Sequence, residues 1–180
     1  MAKAYGGLLG EEVVVKQGSK GKNVVRMATV KTKRTLSEKQ EAIRDRLVRA
    51  GKYARKAMAD PALRELYTSR SVNGKTGYRE ASNDFLRLPV IREIDISGYR
   101  GNPGDMICVD ASDMIALTTV SLQLIAADGT GVESGSCVEE LPTGRYIYTA
   151  NTAVAYISGL IVTVTVSDIP GNKVTKSITL

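Results

Sequence analysis

Leu160-Ile-Val-Thr-Val-Thr-Val-Ser-Asp-Ile-Pro-Gly-Asn-Lys-Val-Thr-Lys-Ser-Ile-Thr-Leu180 decides the fold class. Leu160, Val162, Val164 and Val166 alternate with Ile161, Thr163, Thr165 and Ser167, the period of two expected of a strand with one buried face. Pro170-Gly171-Asn172 supplies turn chemistry, and residues 173–180 return as a partner strand. Working outward, residues 117–126 place Val120, Leu122 and Leu124 on one face before an Asp128-Gly129 turn. Residues 91–96, 106–110, 132–137 and a strand carrying Tyr146 and Tyr148 on one face bring the number to seven. Short strands at this spacing predict a β-sandwich over residues 90–180.

Upstream of Pro89 the period changes to that of a helix. Ser37 followed by Gln40 is a capping box, with Glu38 in the first turn. Ile43, Leu47, Ala50, Ala54 and Ala57 draw a narrow apolar stripe, opposed by Arg44, Arg46, Arg49, Lys52, Arg55 and Lys56. Asp60-Pro61 ends this helix and starts a second, with Leu63, Leu66 and Tyr67 inward. Asn73-Gly74 and Gly77 break it. Tyr78, Ala81, Phe85 and Leu88 then predict the inward face of a third helix, closed by Pro89.

Residues 1–35 read differently. Gly6, Gly7, Gly10, Gly18 and Gly21 are spread among lysines, and Val13-Val14-Val15 and Val24-Val25 are too short to make a sheet alone. So little apolar surface does not offset the entropy of ordering the chain. The segment is expected to be an extended basic arm, holding at most one loose hairpin across residues 17–21, that orders on a partner. Gly18-Ser-Lys-Gly-Lys22-Asn23 superficially matches a phosphate loop, but no Gly stands four residues before Gly21 and Asn23 replaces the magnesium-binding Ser or Thr.

Charge divides the 180 residues. Residues 1–35 carry eight basic residues against Glu11 and Glu12, a balance of +6; residues 36–93 carry +5 and residues 94–180 carry −5. Such asymmetry points to a polyanion or to an acidic protein surface, which the back half of another copy would provide. The arm residues assigned to partner binding are Lys16, Lys20, Lys22, Arg26, Lys31, Lys33 and Arg34.

With no His, no Trp and two Cys, the chain lacks His-based acid/base chemistry, Ser-His and Cys-His nucleophile pairs and the usual zinc ligands. It reads as a non-enzyme without a cofactor. Asp110, Asp113, Asp128 and Asp168 stand at strand ends, where oxygen ligands suit calcium; Asp also starts turns, and that reading is preferred. Cys108, between inward Ile107 and Val109, points away from the core and is expected to be a free thiol, as is Cys137. Glu139 and Glu140 are adjacent and point apart, unlike a paired-carboxylate site. The eight Tyr are scattered, mostly at core positions, and form no base-stacking ladder. The N-terminus has no apolar stretch of signal-peptide length, and no window has the run of about 18 apolar residues that spans a bilayer.

Asp110-Ala-Ser-Asp113, Val120-Ser-Leu-Gln-Leu124 with Ala127-Asp-Gly129, Tyr146-Ile-Tyr-Thr149 and Val162-Thr-Val-Thr-Val-Ser-Asp-Ile-Pro-Gly-Asn172 resemble bacterial immunoglobulin-like modules across the back half. That resemblance implies a binding or spacing unit of the kind found on cell surfaces and phage particles; a single module without an export signal favours a particle assembled inside the cell. The overall layout resembles uncharacterised bacterial or phage-encoded proteins. Residues 60–67 and 78–85 faintly resemble the last two helices of an HMG box, which would imply DNA binding, but its wedge-bearing first helices and core Trp have no counterpart here.

The expected molecule is therefore α+β in three parts: a basic Gly-rich arm (1–35), a three-helix region (36–89) and a seven-stranded immunoglobulin-like sandwich (90–180). The expected function is structural: a capsid, head or tail accessory of a phage virion, in a virion or cytoplasmic assembly, with protein subunits as partners and no membrane. DNA binding through the arm and helices is the alternative.

Overall fold

In this computed structural model the described residues are the backbone of 8–9, 13–17 and 23–27, and the whole of 35–71 and 74–180. Residues 1–41 and 42–180 form two units. In the first, β1 (Leu8–Leu9), β2 (Val13–Gln17) and β3 (Asn23–Met27) pair in that order as an antiparallel sheet. The β2–β3 register runs from Val13↔Met27 to Gln17↔Asn23. The β2–β3 pair is the hairpin expected across residues 17–21, and β1 adds a third strand; the expectation that the short valine pieces make no sheet is corrected, since they satisfy one another's backbone groups.

Three helices follow: α1 (Glu38–Ala59), α2 (Pro61–Ser69) and α3 (Gly77–Leu86). The capping box forms reciprocally, Ser37 N donating to Gln40 Oε1 at 3.0 Å and Gln40 N to Ser37 Oγ at 3.4 Å. Asp60 caps α2 by accepting from Ala62 N at 2.9 Å and Leu63 N at 3.1 Å, so Pro61 removes a donor that has no partner to lose. Gly77 is required by close approach: a Cβ there would stand 2.7 Å from Thr68 Oγ1.

Two expectations fail in the helices. On α1 only Ala50, Ala54 and Ala57 of the stripe are buried; Ile43 and Leu47 are exposed, because the other helices cover only the C-terminal half of α1. On α3 the buried face is Gly77, Glu80, Ala81 and Asp84, while Tyr78 and Leu88 are exposed. The helix is rotated so that two carboxylates face inward.

The β half has eight strands among the described residues: β4 (Val90–Asp95), β5 (Met106–Ser112), β6 (Leu117–Ile125), β7 (Gly131–Ser136), β8 (Val138–Glu140), β9 (Arg145–Thr149), β10 (Ile161–Asp168) and β11 (Lys173–Thr179). They form two four-stranded antiparallel sheets, β11-β10-β6-β7 and β4-β5-β9-β8. The unforeseen eighth is the three-residue β8, whose burial is uniformly low and therefore shows no alternation. Ile107 and Val109 from one sheet meet Leu122, Leu124, Val162, Val164 and Val166 from the other in one core. On β4 a bulge between Ile91 and Glu93 lets Ile91 and Ile94, three apart, both face inward. Architecturally the chain is α+β with a sandwich-like part.

Helices and sandwich meet within residues 42–180. Ile115, on the β5–β6 connection, packs against the helical cluster of Ala54, Ala57, Tyr67 and Ala81. Asn172 Nδ2 donates to the carbonyls of Phe85 at 3.3 Å and Arg87 at 3.1 Å, tying the end of α3 to the β10–β11 turn. Gly171, at φ 89°, lets that turn close.

Candidate functional site

Lys16 lies in β2 opposite Val24, and Arg26 lies in β3 opposite Val14. Lys20, Lys22, Lys31, Lys33 and Arg34 fall outside the described residues.

The acidic half offers a surface at the β7–β8 corner. Among the described residues β8 is an edge strand, paired with β9 alone. Val138 is 72% exposed and Leu141 80% exposed, flanking Glu139 and Glu140, which are also exposed. Beside them lies an open groove of about 540 Å³ lined by Gly135, Ser136, Val138, Ile147 and Asn151 among others. An unpaired strand edge with an apolar rim and carboxylates is chemically suited to an added basic strand. Cys108 and Cys137 are free and half-buried, and burial pushes the Cys137 thiol up to about 11.

A second polar constellation lies where the helices meet the sandwich. Tyr67, fully buried, donates to Asp84 Oδ2 at 2.6 Å, and its own oxygen is 2.7 Å from the hydroxyl of Tyr53. Since Tyr67 has one proton to give, Tyr53 is the donor in that second bond. Asp113 and Asp168 face Asp84 from the sandwich. Asp168, 2% exposed, accepts from Asn172 N at 2.6 Å and from Asn172 Nδ2 at 2.7 Å. Burial holds both Asp84 and Asp168 above the usual carboxylate range, Asp84 at about 6.

Of the four strand-end aspartates, Asp113 and Asp168 both act on the Asp84 carboxyl and raise it. Asp110 pairs instead with Arg92 at 2.9 Å, and Asp128 accepts from Thr130 N at 2.8 Å in its turn. That backbone bond holds the Asp128 carboxyl below its ordinary range. Among the described residues no group of three or more His, Cys, Asp or Glu side chains is disposed to hold a metal ion. Sequence reasoning missed Asp84 and Glu80. The available signal was spacing: Gly77, Glu80, Ala81 and Asp84 recur at helical intervals, but charged residues are ordinarily assigned to the solvent face.

On α1, Arg44, Arg49, Lys52, Arg55 and Lys56 are exposed, and the two ion pairs among the described residues, Lys75–Glu80 and Arg92–Asp110, do not involve them. Arg46 is used within the fold, donating to the Leu86 carbonyl at 2.8 Å, where a cation complements the end of α3. Among the described residues no helix is long and apolar enough to cross a membrane. Comparison of the sequence with protein-family models and with curated proteins finds no match.

Proposed function

We propose that this chain is a non-enzymatic structural and interaction component of a multi-chain particle, in its most specific form a head or tail accessory of a phage virion. Its basic N-terminal segment docks on a neighbouring chain while the sandwich, taken as an immunoglobulin-like module, projects. The carrying observation is the charge division: +6 in residues 1–35 against −5 in residues 94–180. The acidic edge at β8, with Val138 and Leu141 exposed, supports a second copy as that neighbour. Backbone pairing along the strand edge would give affinity, and the lysines would give steering and register. Replacing Lys16, Lys20, Lys22, Lys31 and Lys33 with Gln, or Glu139 and Glu140 with Gln, is expected to weaken association mainly at low salt. Sedimentation across a salt series checks this; association that is indifferent to both variants contradicts it.

The exposed cations of α1 favour a second reading, duplex DNA binding through the arm and helices. Retention on random duplex DNA that falls steeply with salt would select it. Salt-insensitive or absent retention would leave the protein-docking reading.

A further inference from the structure

We propose that Asp84 keeps its proton and turns it toward the Asp113 carboxylate, and that this proton is a latch joining α3 to the sandwich. The chemistry follows from counting oxygens. Asp84 Oδ2 accepts from Tyr67, and Asp113 Oδ2 accepts from Ile115 N at 3.3 Å. The remaining oxygen of each, Asp84 Oδ1 and Asp113 Oδ1, is buried with no donor. Besides Tyr67, Asp113 is the hydrogen-bonding side chain that acts on the Asp84 carboxyl, and it raises it. Two acceptors facing each other in a buried joint repel when both are ionised and bond when one is protonated.

The surrounding groups leave the proton on Asp84. Tyr53 on α1 and Tyr67 on α2 form a donor chain that ends on Asp84. On the sandwich side, both oxygens of Asp168 are occupied by Asn172 donors. On α3 itself, Glu80 is matched with Lys75 at 3.5 Å. Among the described residues, the charges acting on Asp84 come from Asp113 and Asp168, and both hold the proton on.

The sign is set by the direction of the Asp84 shift. Its carboxyl sits at about 6 in the folded chain, above its ordinary value of 3.8. The stabilisation is therefore complete below that ordinary value and is lost as pH rises through about 6, when the Asp84 proton leaves to solvent and two carboxylates face each other. Asp95, Asp105 and Asp128 are held below the ordinary range and are already ionised above about pH 5, whereas Asp168, also raised, adds a slope of the same sign that Asp84→Asn leaves in place.

Asp84→Asn tests the latch in the full chain. An amide keeps an acceptor for Tyr67 and supplies a permanent donor to Asp113 Oδ1. The unaltered protein is expected to lose a few degrees of melting temperature between about pH 5 and about pH 8. Asp84→Asn should lose less than half as much and melt higher than the unaltered protein at the upper pH. An unchanged pH slope in Asp84→Asn overturns the proposal. So does calcium chloride at the upper pH if it raises the melting temperature of the unaltered protein but not of Asp84→Asn, since a cation would then be the ligand. Should the variant fail to fold, carbon-detected NMR titration of the Asp carboxyls in the unaltered chain decides. Asp84 titrating near 6 there, and lower in Asp113→Asn, whose amide would donate to Asp84 Oδ1, supports the latch; a titration that Asp113→Asn leaves unmoved refutes it.

Discussion

The sandwich and the helical region are held together by different chemistry. The sandwich buries large aliphatic side chains from both sheets, Ile107, Leu122, Leu124, Leu160, Val162, Val164 and Val166 among them. The helical cluster buries three alanines and one tyrosine, with Tyr53, Met58, Leu63 and Ile115 at its margin. Aliphatic burial at about 25 cal/mol per Å² is non-directional and indifferent to pH. The alanine cluster removes far less area per residue, so its arrangement depends on hydrogen bonds: the Tyr53–Tyr67–Asp84 chain and the Asn172 tie to the sandwich. Two stretches of one chain thus differ in whether packing or polar geometry specifies them.

The largest expected effect lies in the sandwich. Leu122→Ala removes a fully buried side chain from the facing sheets and should cost about 3 kcal/mol in denaturant unfolding. A loss under about 1 kcal/mol would mean that the sheets do not share one core. Next is the joint. Asn172→Ala deletes both carbonyl contacts to α3 and strips a donor from buried Asp168. It should cost about 2 kcal/mol, with helix amides near Phe85 gaining hydrogen exchange first. Uniform exchange across the sandwich instead would show that the tie does not separate the two regions. The smallest effect is expected on α1. Ile43→Ser and Leu47→Ser, on exposed positions, should each change stability by no more than about 0.5 kcal/mol. A larger loss would show that the stripe is covered.

The same difference explains what could be read from the sequence. On β10 the alternation of Val162, Val164 and Val166 has one physical meaning, and the strand lies where it was expected. Asp168 continues that alternation inward, but a carboxylate is read as a turn former, and it serves as both. Residues 138–140 are exposed throughout and carry no periodic signal, so β8 was not legible. On α1 the full stripe predicted burial that only its C-terminal half receives, because periodicity tells which face is apolar and not how far a partner extends. On α3 the apolar residues pointed to the Tyr78 face, whereas Asp84 is drawn in by a donor from a helix 17 residues away. Such a bond depends on tertiary placement. The charge division was legible by counting; the exposed edge that it would meet was not.

The proposed role rests most directly on the N-terminal segment, and the native mass of the full chain against a chain lacking residues 1–35, measured by light scattering at low and high salt, tests it. The full chain is expected to associate at low salt and to dissociate as salt rises, while the truncated chain stays folded and monomeric throughout. A truncated chain that associates as the full chain does, or a full chain that is monomeric at low salt, would contradict self-docking through this segment.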